Sequence, residues 1–477
     1  MMVEDLYRAP WHEQMNEVIS DMVNSVITDD EILINEIQEW ENSERRKNMI
    51  TGELYYLNKV DIREKKQKVK WKSNQKLAHG FAKKLVDQKI GYLLAKEPTF
   101  GTENDAYRKI IQDNFHRGLL KKIKNVGKEA INKGIAYLHP YFNEEGELSF
   151  TKFPSEQIIP FWADNEHLEV LSFIRVYEVS AYMNGKKEQH KKVEYYHAKG
   201  IRYYIFEGGK LVPDNLAGLE KNHHFTINDK PYVWDRIPLI HFKYNEEEQP
   251  LVDSIKSLVD NYNLQASTNA DILADVPKFI YKLINYGGVD LAEFLSDLNE
   301  YMVVKVDENG DVDKLQAEIQ TEAVEKDLNR TRNSIYEFGR GVDMKDEESG
   351  IASGKAMDHR YGDLDMDCNV LEAEFQSSVE HMLWFINRYL LMTGKGDFTN
   401  EDVNTIFNRD IIINETEAID NCVKSFTVID DQTIRENHPW YNEEVENRLK
   451  KQEAERREEI EKEYANAFPP KEVKVVG

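Results

Sequence analysis

Apolar positions along this 477-residue chain change their period several times, and each change marks a different element. Over 12–42 and again over 68–135 they recur at three- to five-residue steps, as Leu77, Phe81, Leu85, Ile90 and Leu93 do. That spacing predicts amphipathic helices. Between about 136 and 245 the texture turns β-branched and aromatic, in VLSFIRVYEV (170–179), KVEYYHA (192–198) and IRYYIFEGGKLV (201–212). These runs predict strands, with Gly208-Gly209 as a hairpin turn. From 249 a helical stripe returns through Leu251, Ile255, Leu258, Tyr262, Ala266, Ala270 and Leu273, and stops before Pro277. A compact insert follows. KFIYKLI (278–284) reads as a strand, Gly287-Gly288 as a turn, 289–301 as a short helix, and 302–315 as a hairpin around Asn309-Gly310.

A second helix is expected over 321–338, where Val324, Leu328, Thr331, Ile335 and Phe338 alternate four- and three-residue steps. After a glycine- and acid-rich loop, a very long helix is expected from Ile351 to Leu391, with Gly362 as its candidate kink. DIIINET (410–416) reads as a strand. The stretch 442–468 reads as a highly charged helix supported by i,i+4 pairs and ended by Pro469-Pro470. The fold class is therefore α+β, mainly helical.

Composition narrows the picture. With 40% hydrophobic and 31% charged residues, the chain is globular and long enough for about two to four domains. The longest apolar stretch, MLWFINRYLLM (382–392), contains Asn387 and Arg388 and is too short to span a bilayer. The N-terminus lacks the basic flank and apolar core of a secretory signal. Cys368 and Cys422 offer no disulfide framework and suit a reducing compartment, so synthesis in the cytoplasm is expected. A net charge of −25 argues against a grip on nucleic acid over most of the surface. The charge is uneven, however. Residues 1–45 hold twelve acidic and two basic side chains, whereas 58–84 hold ten Lys/Arg against Asp61 and Glu64, and 117–133 are basic again. A solvated face paired with acidic neighbours is the plain reading of the basic stretches. Contact with an acidic partner or nucleic acid is the sharper one.

Candidate chemistry is thin. Gly350-Ile-Ala-Ser-Gly-Lys355 resembles a phosphate loop, but that loop needs four residues between its glycines and a hydroxyl after the lysine. Here three residues intervene and Ala356 follows. Asp363, Asp365, Asp367 and Glu374 fall on positions 1, 3, 5 and 12 of an EF-hand loop, yet Cys368 occupies the place that calls for glycine. The surroundings also read as one helix, so these carboxylates are expected to be solvated or to face a neighbouring subunit. His190 and His197 are the histidines placed to meet across the β region, although surface positions suit them better. Neither a zinc spacing nor a G-x-S-x-G elbow occurs. No catalytic residue, metal or cofactor is expected.

The order of elements is more informative than any motif. Residues 257–283, 303–357 and 74–98 carry it: SLVDNYNLQASTNADILADVPKFIYKL, then VVKVDENGDVDKLQAEIQTEAVEKDLNRTRNSIYEFGRGVDMKDEESGIASGKAM, with NQKLAHGFAKKLVDQKIGYLLAKEP upstream. Helix, small α/β insert, helix, acidic glycine loop and very long helix resemble the portal proteins of tailed bacteriophages. The likeness is closest to phages of Gram-positive hosts with long non-contractile tails. The resemblance implies a wing over 1–248 (helical, then β-rich over 136–245), a first stem helix over 249–276 and a clip over 277–319. It further implies a second stem helix over 320–338, a tunnel loop over 339–353, a long wing helix and return strand over 354–429, a helical crown over 430–468 and a tail over 469–477.

It implies a ring of identical subunits at the capsid vertex of the virion, twelve-fold there and twelve- or thirteen-fold in isolation. Double-stranded DNA would pass through it during packaging and ejection. Terminase and then the head–tail adaptor would dock at the clip, and the major capsid and scaffold proteins would be further partners, with no membrane involved. Carried onto this chain, Arg340, Val342, Asp343, Met344, Lys345, Asp346, Glu347 and Glu348 are expected in the tunnel loop, with Gly339, Gly341, Gly350 and Gly354 giving it flexible ends. Tyr301, Lys305, Asp307 and Asn309 are expected on the clip surface. A nucleic-acid enzyme, such as a packaging ATPase or nuclease, is disfavoured by the broken phosphate loop. A non-enzymatic helical scaffold or adaptor binding protein partners is the main alternative.

Overall fold

The computed structural model describes residues 26–67, 72–115, 117–183, 186–214, 220–227, 230–275, 280–284, 309–315, 321–343, 354–409 and most of 415–457, with isolated positions between 290 and 300 and at 460. The chain divides into two compact units, 1–346 with 361–410, and 347–360 with 411–477.

The first unit begins with helices α1 (Asp30–Asn42) and α2 (Glu44–Tyr56). Asp29 caps α1 by accepting from the Glu31 N–H, and Ser43 ends α1 while its hydroxyl accepts from Arg46 to start α2. Next come α3 (Phe81–Leu93), β1 (Thr99–Gly101), α4 (Asp105–Asn114) and α5 (Arg117–Lys133). The aromatic region supplies β2 (Ile135–Phe142), β3 (Leu148–Phe153), β4 (Ile158–Trp162), β5 (Val170–Met183), β6 (Lys186–His197), β7 (Gly200–Glu207), β8 (Lys210–Pro213) and the short β9 (Glu220–Lys221), β10 (Phe225–Ile227) and β11 (Lys230–Tyr232). After β12 (Ile240–Lys243) come α6 (Leu251–Asp275), β13 (Ile280–Ile284), β14 (Asp311–Leu315), α7 (Thr321–Phe338), α8 (Gly354–Met392) and β15 (Asn404–Ile406).

All recorded strand pairs are antiparallel. One sheet runs β4-β5-β6-β7-β8 with β9 beside β7, and a second runs β12-β2-β3. Three core clusters follow. The first joins α3, α5, the start of α6 and α8 through Leu85, Val126, Ile255, Leu371 and Phe375. The second lies between the sheets around Tyr137, Phe153, Phe173 and Leu239. The third packs Leu33 and Ile37 of α1 against Ile159, Ile174, Val193 and Tyr195. Gly134 joins α5 to β2 at φ +82°, and a Cβ there would lie 1.8 Å from the Glu248 carbonyl oxygen. Only glycine fits so close an approach.

Leu77 does not belong to the helical stripe. Residues 72–80 run extended along α6, and Leu77 is 40% exposed. The backbone N–H groups of Ser73, Gln75, Leu77 and His79 bond to the side chains of Asp275, Asp271, Ser267 and Asn263 in turn. Two residues of an extended chain and four of a helix both advance about 6–7 Å, so the two ladders stay in step. Those bonds hold the segment out of the helix that apolar spacing alone predicts.

The hairpin read over 302–315 lies largely outside the described residues. Asp311–Leu315 lies antiparallel to Ile280–Ile284, with Ile284 opposite Asp311; residues 301–308 lie outside the described residues. The strand read over 410–416 falls mostly outside them too, while Glu415 and Thr416 open a helix, Glu415–Ser425, and the observed strand is β15. His190 and His197 lie seven residues apart on one strand, which fixes them well away from each other. The long helix α8 runs through Gly362 as one element. In the second unit, Glu415–Ser425 is followed by Asp431–Glu436 and by helical turns in which Lys450 meets Glu446 at 3.4 Å.

Four imidazoles, His241 buried and three others half-buried, make stability pH-dependent. Burial lowers His139, His224 and His381 to about 4, and holds His241 well below the usual imidazole value. They are neutral when folded but take up protons in the unfolded chain below about pH 6.5, so their contribution is complete above that pH and lost as pH falls toward 4. Glu36, raised to about 7 by burial and then by Glu39, works the other way, as do Asp253 and Glu374, which burial also raises. The expected outcome is a lower urea midpoint at about pH 5 than at about pH 7.5; equal midpoints would contradict this account.

Candidate functional site

The segment that leads from α7 into the loop is built for close contact. Helix α7 ends at Phe338 and is closed by bonds from Gly339 N–H to Ile335 O (3.0 Å), Arg340 N–H to Glu337 O (3.1 Å) and Gly341 N–H to Tyr336 O (2.9 Å). Arg340 takes φ +46°, the left-handed conformation that closes this kind of helix end and that glycine usually supplies. Gly339 and Gly341 serve a different need. A Cβ on Gly339 would lie 2.6 Å from both Ile335 O and Leu85 Cδ1, and one on Gly341 would lie 2.2 Å from Leu85 Cδ2. These two glycines therefore clamp the loop root onto α3, in place of the flexible ends expected of them.

Helix α3 reads the backbone of that root. The Gln88 amide accepts from Val342 N–H (2.9 Å) and donates to Val342 O (3.2 Å), like one rung of a sheet. Val342 itself is buried. Asp343 is held by the Arg332 guanidinium through both carboxylate oxygens, with Lys84 3.8 Å away. The bond to Asp343 raises the already high Arg332 pKa further.

Beneath the root lies a buried ion pair. Lys89 is fully buried, and its ammonium donates to Asp367 Oδ2 (2.6 Å) and to the Arg340 carbonyl (3.0 Å). Tyr244 O–H donates to the same Asp367 oxygen (2.8 Å), and the Arg340 guanidinium stands 3.5 Å from the other. Burial lowers the Lys89 pKa, opposed by Asp367, and raises the Tyr244 phenol well above its usual value. Burial also lifts the neighbouring Cys368 thiol to about 12, which leaves it inert as a nucleophile. Four segments meet at this one carboxylate: α3, the end of β12, the loop root and α8.

The acids of α8 are thereby accounted for. No EF-hand loop exists, because Asp363, Asp365, Asp367 and Glu374 lie on continuous helix. Asp363 is exposed, and Asp365 bonds to Tyr92 O–H (3.0 Å) and to Arg409, which also binds Glu372 and Asn369. Asp367 is thus buried and bound within the chain, not solvated or left for a neighbour, while Asp365 is bound within the chain and still reaches solvent. Among the described residues no cluster of three or more His, Cys, Asp or Glu side chains could hold a metal.

Of the loop residues read from sequence, Arg340, Val342 and Asp343 form the root, while Met344, Lys345, Asp346, Glu347 and Glu348 lie outside the described residues. Asn309 sits in an exposed turn before β14, and Tyr301, Lys305 and Asp307 lie outside the described residues. Gln88, Lys89, Tyr244 and Asp367 were not anticipated. A signal existed for two of them: Lys89 continues the Phe81–Leu85 stripe at the next four-residue step, and Asp367 falls between Leu364 and Leu371. A charge on an apolar stripe implies a buried partner.

Lys89→Met is expected to cost about 3–5 kcal/mol, because it strands Asp367 in the core, and Lys89→Met with Asp367→Leu to recover most of that loss. Denaturant unfolding measures both. Equal losses for the single and double variants would remove the pair from its central place.

The chain matches the family model described as phage portal protein, SPP1 Gp6-like, over residues 37–462. It is 31% identical over 434 residues to the portal protein of Bacillus phage SPP1, covering 87% of this chain and 84% of that one. It is 28% identical over 419 residues to the portal protein of a Clostridium phage, phiCD119, covering 83% of this chain and 90% of that one. Among solved structures, a chain from the neck of an empty GTA particle matches with TM-score 0.42 and 10% identity over 74% of this chain and 89% of that one, too slight a likeness to support any inference. The match to the family model over most of the sequence, together with a relative above 30% identity along nearly all of both chains, places this protein in the SPP1 Gp6-like family of phage portal proteins.

Proposed function

We propose that the chain is the ring-forming subunit of a DNA channel at a phage capsid vertex, through which the genome is packaged and ejected. In this reading α6 and α7 are the stem, the insert between them is the clip that docks terminase and then the head–tail adaptor, and 339–353 is a loop facing the channel. Residues 1–248 and 354–429 form the wing and 430–468 a crown. The protein itself catalyses nothing. The ring is twelve-fold in the virion, where major capsid and scaffold proteins surround it.

The observation that carries the reading is the clamped loop root. A loop that lies beside moving DNA must not be dragged from its base, and here its base is fixed to α3, α7 and α8 by Gln88, Arg332, Lys89 and two packed glycines. The acids beyond it, Asp346, Glu347 and Glu348, supply like charge that repels a duplex over roughly one Debye length, ~8 Å at physiological salt. Basic side chains in their place would hold phosphate in a salt-dependent way. Lys345 is the candidate for transient phosphate contact.

Negative-stain electron microscopy of the purified protein should show rings with a central hole and twelve- or thirteen-fold symmetry. Asp346→Lys with Glu347→Lys and Glu348→Lys should leave those rings intact but lower the amount of DNA packaged, with a steeper dependence on salt. Unaltered packaging in that variant would remove the loop from the channel.

A further inference from the structure

A groove of about 320 Å³ runs between α3 and α5. Gly91 and Ala95 form one side, and Lys121, Lys124 and Lys128 line the other over ~10 Å of helix. A Cβ on Gly91 would meet nothing within 4 Å, so the floor is open. Asp87, the carboxylate in the groove, is already satisfied by Lys83 (2.6 Å), Lys128 (3.2 Å) and the Tyr56 hydroxyl (3.0 Å). Lys124 reaches only the Ala95 carbonyl (3.2 Å), and Lys121 has no ion pair among the described residues. The groove therefore presents cationic charge that the described residues of the subunit do not neutralise.

Helix α1 is its complement. From Asp29 to Glu44 the chain holds seven acidic residues and no basic one. Asp30 accepts from Tyr204 and Glu41 pairs with Lys191, but Glu31, Glu36 and Glu39 have no cation among the described residues. These three share one broad face, spread over roughly 140° of the helix. Burial without a cation, and then Glu39, hold Glu36 at about 7 in the single subunit. Helix α1 belongs to the third core cluster and the groove to the first, so the two charged surfaces are separate features of one unit.

We propose that the acidic face of α1 on one copy of this chain docks in the cationic groove between α3 and α5 of the next copy. The inference rests on the ring reading above and names a contact that would close the ring. A head-to-tail ring needs two different, complementary surfaces on each subunit. A chain of net charge −25 also repels its own copies unless opposite charges meet locally. Duplex DNA suits the groove less well: two unneutralised lysines supply little counterion release, and the Asp87 carboxylate also lines it.

The test is charge exchange in the full-length chain. Lys121→Glu with Lys124→Glu, and separately Glu31→Lys with Glu39→Lys, should each abolish rings or raise the protein concentration they need by at least about tenfold, most strongly at low salt, where the reversed charges are least screened. All four substitutions together should restore assembly, which a merely misfolded groove would not do. Gly91→Leu, which fills the floor without changing charge, should weaken assembly at every salt concentration. Electron microscopy and light scattering give the readouts. Wild-type rings that neither reversal disturbs, or reversals that the fourfold variant does not rescue, overturn the contact but leave the ring reading standing. Rings that persist while Lys121→Glu with Lys124→Glu loses binding of a labelled DNA duplex assign the groove to phosphate and also overturn it. A wild-type chain that stays monomeric throughout overturns the ring reading and this contact together.

Discussion

A lysine and an aspartate removed from water would cost several kcal/mol apiece if left alone, and the fold is arranged so that neither is. Lys89 has Asp367 and the Arg340 carbonyl; Asp367 has Lys89, Tyr244 and Arg340. The pair gains little as a bond, since its Coulomb attraction roughly offsets desolvation. Its value is selective. Any arrangement that separates α3 from α8 leaves a charge buried without its ionic partner, and one that displaces the loop root or the end of β12 takes a hydrogen bond from the pair. The Gln88–Val342 rung and the two close-packed glycines are consistent with a root that has one allowed position.

The same economy governs the acidic character of the chain. Much of it is spent internally in bonds that shape the fold. Asp271 and Asp275 accept backbone N–H groups of the extended 72–80 segment, Asp343 fixes Arg332, and Asp365 gathers Tyr92 and Arg409. The basic stretch over 58–84 is partly explained in the same way, since Lys65 pairs with Asp271 and Lys83 with Asp87. What remains unpaired is therefore the informative part of the surface.

Long, strongly periodic elements were legible in the sequence. The stripe from Leu251 to Leu273 and the one from Val324 to Phe338 correspond to α6 and α7, although only part of each packs, with Leu251, Ile255 and Ile335 buried and Leu273 and Phe338 exposed. Leu77 misled because hydrophobic spacing is blind to backbone bonding, and acceptors two hundred residues away at 263–275 decide the conformation of 72–80. Gly339 and Gly341 misled for a related reason: a glycine run looks the same whether it frees a chain or lets two helices touch. The carboxylates of α8 could be placed on a helix from sequence, but their partners Lys89, Tyr92 and Arg409 are set by tertiary packing. The family likeness rested on element order, which survives such local errors.

The ladder between residues 73–79 and helix α6 has a consequence for how this part of the chain can change. Its bonds use every second residue of one segment and every fourth of the other. Deleting one residue from the extended side would reverse which side chains face outward, whereas deleting two would keep them as they are. Sequence drift here is therefore subject to a parity rule: related chains can lengthen or shorten this segment by even steps while α6 shifts by whole turns, and odd steps are closed to them.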